Sequence, residues 1–511
     1  MVDLVLRFRT PVNLLIFVLV AVISGCWAYH RMVRKVHVSV VPVIAGNLIL
    51  LAGWTLLKGL DHDGVGHLHA AWLISQGMVP YRDFWMHQPP ALWLLLSPIL
   101  KIFPPSPAIF DFGRALSSAV FVINGIIGWK VARKVWKEKA SVSMYLLALL
   151  GCATTGEFTL LRPDIFMVFF MLIGMFFCLD ASGKRALPCF CAGAAFSLAA
   201  SFMPKQYLLY PVPLIAIFMG LKEGRIRKIA AYCAGFFAGS LPLLLYLINF
   251  NILSDFFYWV FRFNRMIINV TIYFPLIIAF MGWWGGWLLF MRFRRDASPQ
   301  PLIFFIVLSV STLTSLVSTT VMNGGHYLSL WFFICSIAFA GCDIPAVLNK
   351  ARSLSIRAVF VGLFFSLLVA PNLVHVLALN ERNYFSARII AGKIMKYSAG
   401  DTCVLIIPMH PVFAHDATSL YSDWEFFYSD RFLSLKKVIS HPGVAGQILA
   451  KRPAMVLCRY QRKDFMLALF DKGLISADDY KRLIAFFKEN YTRKRIGRDS
   501  YYIRNDRLQV L

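Results

Sequence analysis

Acidic residues are scarce in this chain. Its 511 residues include 52 Lys and Arg but only 26 Asp and Glu, so the formal net charge is +26. In a soluble protein such an excess would indicate a nucleic-acid partner. Here many of the Lys and Arg residues stand in short clusters between long apolar runs, which is how charges retained on one side of a membrane are distributed. Nucleic acid is therefore not an expected partner.

The sequence also lacks an internal repeat, a low-complexity tract and a Cys-x-x-Cys pair. The absence of repeated halves argues against many transporter folds, and the absence of Cys-x-x-Cys argues against a structural zinc site. Most of the ten cysteines lie in or beside apolar runs, where a thiol behaves as a small hydrophobe. Only Cys403 and Cys458 lie outside them. They stand at the start of one predicted strand and near the end of another, too far apart for a disulfide if the strands are parallel.

Long apolar runs dominate the first three quarters of the chain. The composition is 59% apolar, with 45 Phe and 13 Trp, and the mean hydropathy is +0.65. Runs of about 17 to 25 residues match the length of a helix that crosses a hydrocarbon core of about 30 Å. They predict a polytopic α-helical membrane protein with about 11 to 12 transmembrane helices. The predicted spans are 11–29, 38–57, 110–131, 141–156, 165–181, 188–203, 207–221, 229–248, 270–291, 301–321, 327–343 and 357–378.

Clusters of Lys and Arg set the predicted orientation. They occur at every second gap between the apolar runs, so the positive-inside rule places those gaps in the cytoplasm and the alternate gaps outside. The clusters begin at Arg31, Arg133, Lys184, Lys222, Arg292 and Lys350. Arg7 and Arg9 near the N-terminus conflict with this pattern, which leaves the orientation of the span at 11–29 open. A cleaved signal peptide over residues 1–29 is the other interpretation of that segment.

The character of the chain changes after Leu379. Half of the acidic residues, 13 of 26, fall in this last quarter. Short strand-like runs at 403–408, 454–458, 492–496 and 501–504 alternate with helix-like patterns at 386–397, 444–451 and 478–489. This alternation predicts a soluble α/β domain on the outer face of the membrane. The predicted division is therefore a transmembrane domain at 1–378 and an extracytoplasmic domain at 379–511.

One extramembrane segment concentrates titratable groups. It is the first outer loop, 58–109, and its acids and histidines are Asp61, Asp63, Asp83, His62, His67, His69 and His87. The loop is predicted to be helical over 67–76 and to turn at Gly77. The apolar stretches at 91–103 and 256–268 are too short or too mixed to cross a membrane, so they predict helices that lie on its interface. Such helices would wall a cavity that opens toward lipid.

The motifs of this region resemble those of a known superfamily. The run DGVGHLHAAWLISQGMVPYRDFWMHQPPALWLL is followed by Arg114 in a Phe-x-Arg-Ala-Leu context and by Glu157 with Arg162-Pro163-Asp164. Together they resemble the GT-C superfamily of integral-membrane glycosyltransferases, in the branch of the protein O-mannosyltransferases and the aminoarabinose transferase of lipid A. The resemblance covers 38–378 in layout, but only 60–116 and 155–170 in motif. It implies a GT-C fold and a polyprenyl-phosphate sugar donor.

The resemblance implies a catalytic role for the first outer loop. Asp63 would be the base that takes the proton of the acceptor hydroxyl. The superfamily has an Asp-Glu pair at this place, whereas this chain has Asp63-Gly64, and Asp61 is the candidate substitute. The resemblance does not identify a cofactor, and a divalent metal ion is the alternative that stays open.

The resemblance implies substrate binding by a wider set of residues. Cations on the outer side would neutralise the departing phosphate, and other polar groups would bind the sugar or the phosphate from the opposite wall. The predicted substrate-binding residues are Asp61, His67, Arg82, Glu157, Arg162, Asp164, Lys205, His326 and Tyr327. Structural alternatives stay open, namely an ion pair between Arg162 and Asp164, and a Lys205 side chain that extends to lipid headgroups.

The predicted function is that of an inverting glycosyltransferase in the bacterial inner membrane, with its active site facing the periplasm. The donor would be a polyprenyl-phosphate sugar, the acceptor a lipid, a glycan or a protein, and membrane lipids would surround the site. Two other classes stay open. A transporter or flippase of lipid-linked sugars would show repeated halves or broken helices, and a glycan ligase or polymerase would depend on arginines and histidines in a late outer loop.

Overall fold

The structure is a computed structural model. It describes residues 44–49, 51, 62–84, 86–153, 160–181, 183–204, 209–219, 224–264, 303–304, 306–307, 329–341, 384–404, 412–416, 444–460, 463–464, 467, 470–471, 475–496 and 499–510. The predicted spans at 11–29, 270–291 and 357–378 lie outside the described residues.

Helices make up most of the described chain. In chain order they are α1 His62–Ser75, α2 Ala91–Ile102, α3 Ala108–Trp136, α4 Val142–Ala153, α5 Pro163–Cys178, α6 Leu187–Phe202, α7 Val212–Met219, α8 Arg225–Asn249, α9 Leu253–Phe257, α10 Ser329–Ala340, α11 Tyr384–Ser398, α12 Val444–Lys451 and α13 Ala477–Asn490. A π-helix at Tyr258–Phe263, here termed the π segment, follows α9 directly. The strands are β1 Thr402–Val404, β2 His415–Asp416, β3 Met455–Tyr460, β4 Lys463–Asp464, β5 Tyr491–Ile496 and β6 Asp499–Arg504.

The chain divides into two compact units. The helical unit comprises Met1–Lys58, Ala115–Leu245 and Ile268–Asn383, and the α/β unit comprises Gly59–Arg114, Tyr246–Ile267 and Tyr384–Leu511. The first outer loop thus shares a unit with the C-terminal segment. The division at residue 378 that the sequence indicates stays a prediction about the membrane boundary.

Within the described ranges, two helices are long and apolar enough to cross a membrane by length and composition. They are Ala108–Lys139, with 32 residues, and Arg225–Asn249, with 25 residues. The predicted spans at 110–131 and 229–248 lie within them. Helices α5 and α6 are shorter apolar helices and fall within a few residues of the predicted spans at 165–181 and 188–203. The full number of transmembrane helices stays a prediction.

Helices α6 and α8 meet backbone to backbone in the helical unit. A Cβ atom on Gly193 of α6 would collide with the Tyr232 carbonyl, and one on Gly235 of α8 would collide with the Phe190 carbonyl. Small residues at such positions allow two helices to approach closely. A hydrogen bond of 2.6 Å between the hydroxyls of Ser197 and Ser240 crosses the same interface. Glycine is therefore required here by the interhelical distance.

The sheet of the α/β unit mixes parallel and antiparallel strands. Its order is β2-β1-β3-β6-β5, with β4 beside β3. Strand β1 runs parallel to β2 and β3, and β6 runs antiparallel to β3 and β5. Cys403 of β1 pairs with Met455 of β3, so Cys458 lies about 10 Å further along that strand. The prediction that the two cysteines are too far apart for a disulfide is confirmed.

The local pattern predicted for the C-terminal segment is confirmed. The strands predicted at 454–458, 492–496 and 501–504 correspond to β3, β5 and β6. The helices predicted at 386–397, 444–451 and 478–489 correspond to α11, α12 and α13. Of the strand predicted at 403–408, the structure describes residues 403 and 404, which lie in β1.

One apolar core joins the sheet to its helices. Its members include Ile394, Val404, Ile448, Val456, Leu483, Phe487 and Ile503. Each helix contributes one apolar stripe, as Leu483 and Phe487 do, four residues apart on α13. Phe487 stacks on Tyr502 of β6 with ring centroids 4.8 Å apart. Phe263 of the π segment lies in the same core, and Trp259 packs against it, so the π segment packs as part of this unit.

A charged network connects the end of the chain to the start of β1. Asp401 Oδ2 accepts hydrogen bonds from Arg504, at 2.8 Å, and from Arg507. Its Oδ1 accepts from the Thr402 amide at 2.6 Å. Burial by itself raises the pKa of Asp401, but the Thr402 amide and the two guanidinium groups outweigh it. The net pKa therefore lies below the ordinary value of 3.8.

The close contact of α6 and α8 predicts a strong effect of a larger residue at Gly235. Gly235→Leu must separate the helices, because its side chain would occupy the position of the Phe190 carbonyl. Overpacking costs about 1 to 3 kcal/mol, so we expect the Tm of the purified protein to fall by several degrees. Ala234→Leu adds the same side chain at an exposed neighbour and should leave the Tm within about 1 °C. Equal Tm values for the two variants would contradict the packing described.

The low pKa of Asp401 predicts acid-sensitive stability. A carboxyl whose pKa is lower in the folded than in the unfolded state stabilises the fold above its unfolded pKa, and this contribution disappears as the pH falls through the folded pKa. We expect Asp401→Asn to lower the Tm by about 2 to 4 °C at pH 7. The difference from wild type should shrink below the ordinary pKa of 3.8. Asp506→Asn, at a carboxylate that is 62% exposed, is the control and should change the Tm less. A difference for Asp401→Asn that does not vary with pH would exclude this role.

Candidate functional site

Helix α1 carries the predicted catalytic acid. It begins at His62 and places Asp63 in its first turn, where the helix dipole stabilises a negative charge. Asp63 is half-buried. The predicted helix start at residue 67 is wrong because Gly64 and Gly66 are buried in the unit, and burial overrides the low helix propensity of glycine. The acid is therefore held on a helix rather than in a loop.

His67 lies one helical turn after Asp63, on the same face of α1. Its side chain is buried, and its Nδ1 accepts a hydrogen bond of 2.9 Å from the indole Nε1 of Trp93 on α2. A nitrogen that accepts a hydrogen bond carries no proton, so the imidazole is neutral with its proton on Nε2. The bond fixes both the tautomer and the orientation of the ring. The predicted role of His67 in substrate binding stays a prediction.

His69 connects α1 to the C-terminal segment. Its Nε2 lies 3.2 Å from Asp416 Oδ2, and its Nδ1 lies 3.4 Å from the Val412 carbonyl oxygen. The ring of His415 lies over Trp72 of α1, with centroids 4.8 Å apart. Burial, and next the proximity of His69, lowers the pKa of His415, so its ring is neutral at neutral pH. His67 and His69 leave α1 in different directions, as their spacing predicts.

The loop between α1 and α2 is a compact turn. Gly77 has φ +86° and confirms the predicted turn, while Tyr81 adopts φ +69°, a conformation that is rare for a bulky residue. Tyr81 is buried, and its ring contacts Trp93 and Phe256. Its hydroxyl donates to the Gln88 carbonyl at 2.6 Å. These contacts hold the loop in one conformation.

Arg82 extends from this turn into solvent. Its guanidinium forms two hydrogen bonds of 3.0 Å with the carboxylate of Asp83, through Nε and Nη2. Asp83 also accepts from the Val79 amide at 2.7 Å. The hydrogen bond from Arg82, and then that from Val79, lowers the pKa of Asp83 against the opposing effect of burial. The pair orients Arg82 while its side chain stays 52% exposed.

Helix α2 follows Pro89 and Pro90, as predicted for the first interfacial stretch. Leu92, Trp93, Leu96 and Leu100 are buried, and α2 packs against α1. Leu95 and Ile102 are 50% and 83% exposed. An apolar surface on both sides of one helix suits contact with protein on one side and lipid on the other. The interfacial position itself stays a prediction.

The second predicted interfacial stretch, 256–268, is described as far as Asn264. Phe257 and Phe261 are 55% and 46% exposed there. Asn264 Nδ2 donates to the His87 carbonyl at 2.7 Å and to the Val260 carbonyl at 2.8 Å. The π segment is thereby fastened to the loop before α2.

Arg162 and Asp164 belong to the helical unit. Arg162 precedes α5, whose first residue is Pro163, and Asp164 lies in the first turn of that helix and is 5% exposed. Asn124 of α3 donates to the neighbouring Ile165 carbonyl at 3.0 Å. Asp63, His67 and Arg82 belong to the α/β unit. Substrate binding and a structural ion pair therefore both stay open for Arg162 and Asp164.

Five predicted site residues lie outside the described residues, namely Asp61, Glu157, Lys205, His326 and Tyr327. Across the part of the chain that the structure describes, no group of three or more His, Cys, Asp or Glu side chains is arranged to hold a metal ion. The divalent metal stays an untested alternative.

Three residues that hold the first outer loop in place were not identified from the sequence. Trp93, Asn264 and Asp416 contact His67, His87 and His69, which lie 26, 177 and 347 positions away in the chain. Contacts over such separations leave no periodic pattern in a sequence. Trp93 offered one usable indication, because a buried indole N–H requires an acceptor and histidines are the concentrated polar groups of the preceding loop.

Comparisons with known proteins bear on the fold. No protein-family model and no curated protein sequence matches the chain. The chain is similar to the crystal structure of ArnT from Cupriavidus metallidurans bound to undecaprenyl phosphate, with a TM-score of 0.55 and 12% identity, covering 91% of this chain and 97% of that chain. The apo structure of that ArnT gives a TM-score of 0.54 and 13% identity at the same coverage. The chain therefore has a fold similar to that of ArnT, and the resemblance predicted from the sequence is confirmed at the level of the fold.

Proposed function

We propose that this protein is an inverting glycosyltransferase that moves a sugar from a polyprenyl-phosphate donor to a lipid, glycan or protein acceptor. The observation that carries the proposal is the fold, which is similar over 91% of the chain to that of ArnT solved with undecaprenyl phosphate. The carboxylate of Asp63, half-buried at the start of α1, supplies a group suited to the reaction.

The chemistry requires a base and a stabilised leaving group. An acceptor hydroxyl oxygen attacks the anomeric carbon from the side opposite the phosphate, and Asp63 takes the hydroxyl proton. The carbon–oxygen bond to the phosphate breaks, the electron pair leaves with the polyprenyl phosphate, and the anomeric configuration inverts. A positioned base contributes about 10²- to 10⁴-fold to such a step.

Cations would stabilise the charge that develops on the phosphate. Arg82 suits this role because Asp83 orients its guanidinium while half of the side chain stays in solvent. A guanidinium can bind a phosphate through two parallel hydrogen bonds. The same role is predicted from the sequence for Arg162 and Lys205.

The proposed location is the bacterial inner membrane, with the active site on the periplasmic side. The support is the distribution of charge, since clusters of Lys and Arg occur at every second gap between the apolar runs. The first outer loop and the C-terminal segment both fall in the outer set. Membrane lipids would then surround the helices, and the acceptor would approach from the periplasm.

The role of Asp63 predicts a catalytic defect without a folding defect. Asp63→Asn keeps the size of the side chain but cannot take a proton, so we expect transfer of labelled sugar from undecaprenyl phosphate by the purified protein to fall about 10²- to 10⁴-fold. The Tm should stay close to that of wild type. Asp478→Asn is the matched control, because Asp478 also lies in the first turn of a helix but is exposed and outside the proposed site.

Full transfer activity of Asp63→Asn would exclude Asp63 as the base. A wild-type protein that moves lipid-linked sugar across a vesicle membrane without breaking its bond to phosphate would instead identify a flippase. Extension of a glycan by repeated units would identify a polymerase.

The role of Arg82 predicts a defect in donor binding. We expect Arg82→Gln to raise the KM for the donor about fivefold and to weaken its dependence on salt, because one exposed charge on the phosphate is lost. Arg482→Gln removes a guanidinium of a comparable exposed pair, with Asp479, and should leave the KM unchanged. An unchanged KM in Arg82→Gln as well would assign the Arg82–Asp83 pair to the structure of the loop alone.

A further inference from the structure

Two amide side chains of the α/β unit have oxygens that accept no hydrogen bond from the described part of the chain. They are Gln88, in the loop before α2, and Asn264, which follows the π segment. The side-chain oxygen of each is buried and has no donor among the described residues. An unpaired buried acceptor destabilises a fold, and such groups are few in folded proteins. Two of them in neighbouring segments require an explanation.

The contacts of Asn264 fix its side chain and place it beside the loop that contains Gln88. Asn264 Nδ2 donates to the carbonyl of His87, the residue before Gln88, at 2.7 Å, and to the Val260 carbonyl at 2.8 Å. Since both N–H groups of the amide are directed at carbonyl oxygens, its orientation is determined. Asn264 Oδ1 therefore points away from them as a fixed acceptor.

Gln88 is held through its backbone. The Tyr81 hydroxyl donates to its carbonyl at 2.6 Å, and the following Pro89 restricts its backbone conformation. The oxygen of its side-chain amide accepts no hydrogen bond from the described residues. The side-chain oxygen of Gln88 therefore does not help to hold the loop, although the backbone contacts fix the position of the residue.

The π segment is an independent observation at the same place. A π-helix is rare and frequently occurs at functional sites. Here it spans Tyr258–Phe263, and Asn264 closes it through the bond to Val260. Because Phe263 is anchored in the core, the wide turn belongs to the packed structure rather than to a frayed helix end.

We propose that Gln88 and Asn264 form a subsite for the sugar of the donor, in which hydroxyl or ammonium groups of the sugar donate to the two amide oxygens. The inference rests on the proposed function and assigns this region to one part of the donor. A phosphate does not fit Asn264 Oδ1, because phosphate oxygens and that oxygen are all acceptors. A sugar ring carries several donors, so it satisfies both side chains at once.

Binding to two lipids tests the subsite. The full-length protein in nanodiscs is titrated with undecaprenyl phosphate and with undecaprenyl phosphate that carries a pentose, an amino-pentose or a hexose. We expect wild type to bind at least one glycosylated lipid about tenfold more tightly than the bare lipid, which corresponds to about 1.4 kcal/mol. Gln88→Met, which removes no hydrogen bond made by the described residues, should abolish that preference, leave the affinity for bare undecaprenyl phosphate unchanged and not lower the Tm.

Gln76→Met is the matched control, because Gln76 is an exposed glutamine of the same unit, and it should keep the preference. Gln88→Leu is a second variant with the same expected result. A wild-type protein that binds all the lipids equally overturns the subsite while sugar transfer can still establish the proposed function. A preference that survives in Gln88→Met overturns it too. Binding of none of the lipids overturns the proposed function and the subsite together.

Discussion

The region around Asp63 depends on two histidines that hold helix α1 from different sides. His67 accepts a hydrogen bond from Trp93 of α2, and His69 pairs with Asp416 of β2. The two residues are 3% and 1% exposed, so water competes weakly for either bond. The helix that carries the acid is thus positioned by polar contacts of defined direction in addition to apolar packing. A group that must meet a reacting atom requires that kind of support.

Backbone carbonyls serve as the anchor points of the neighbouring loop. The Tyr81 hydroxyl binds the carbonyl of Gln88, and the Asn264 amide binds that of His87. Anchoring through the backbone leaves the side chains of the loop available for other contacts. The residues that supply these bonds come from two of the three chain segments that form the α/β unit. The geometry of the loop therefore depends both on its own Tyr81 and on Asn264 from a distant segment.

Most of the correct predictions from the sequence rest on local patterns. Strands β5 and β6 and helices α11, α12 and α13 coincide with their predictions because alternation and helical periodicity are properties of a few neighbouring residues. The start of α1 was mispredicted because the low helix propensity of Gly64 is local, whereas its burial is not. The resemblance to a superfamily indicated Asp63, but only the structure places it on a helix. The contact of His69 with Asp416 spans 347 positions, which no local pattern contains.

That separation has a consequence for biosynthesis. A ribosome adds about 5 to 20 residues per second, so about 20 to 70 s pass between the synthesis of His69 and that of Asp416. During this interval the nascent helix α1 must keep its imidazole hydrated or attached to a temporary partner. A chain that stops before residue 412 leaves this face of the molecule unfinished. The C-terminal segment is thus a late-arriving folding partner of helix α1.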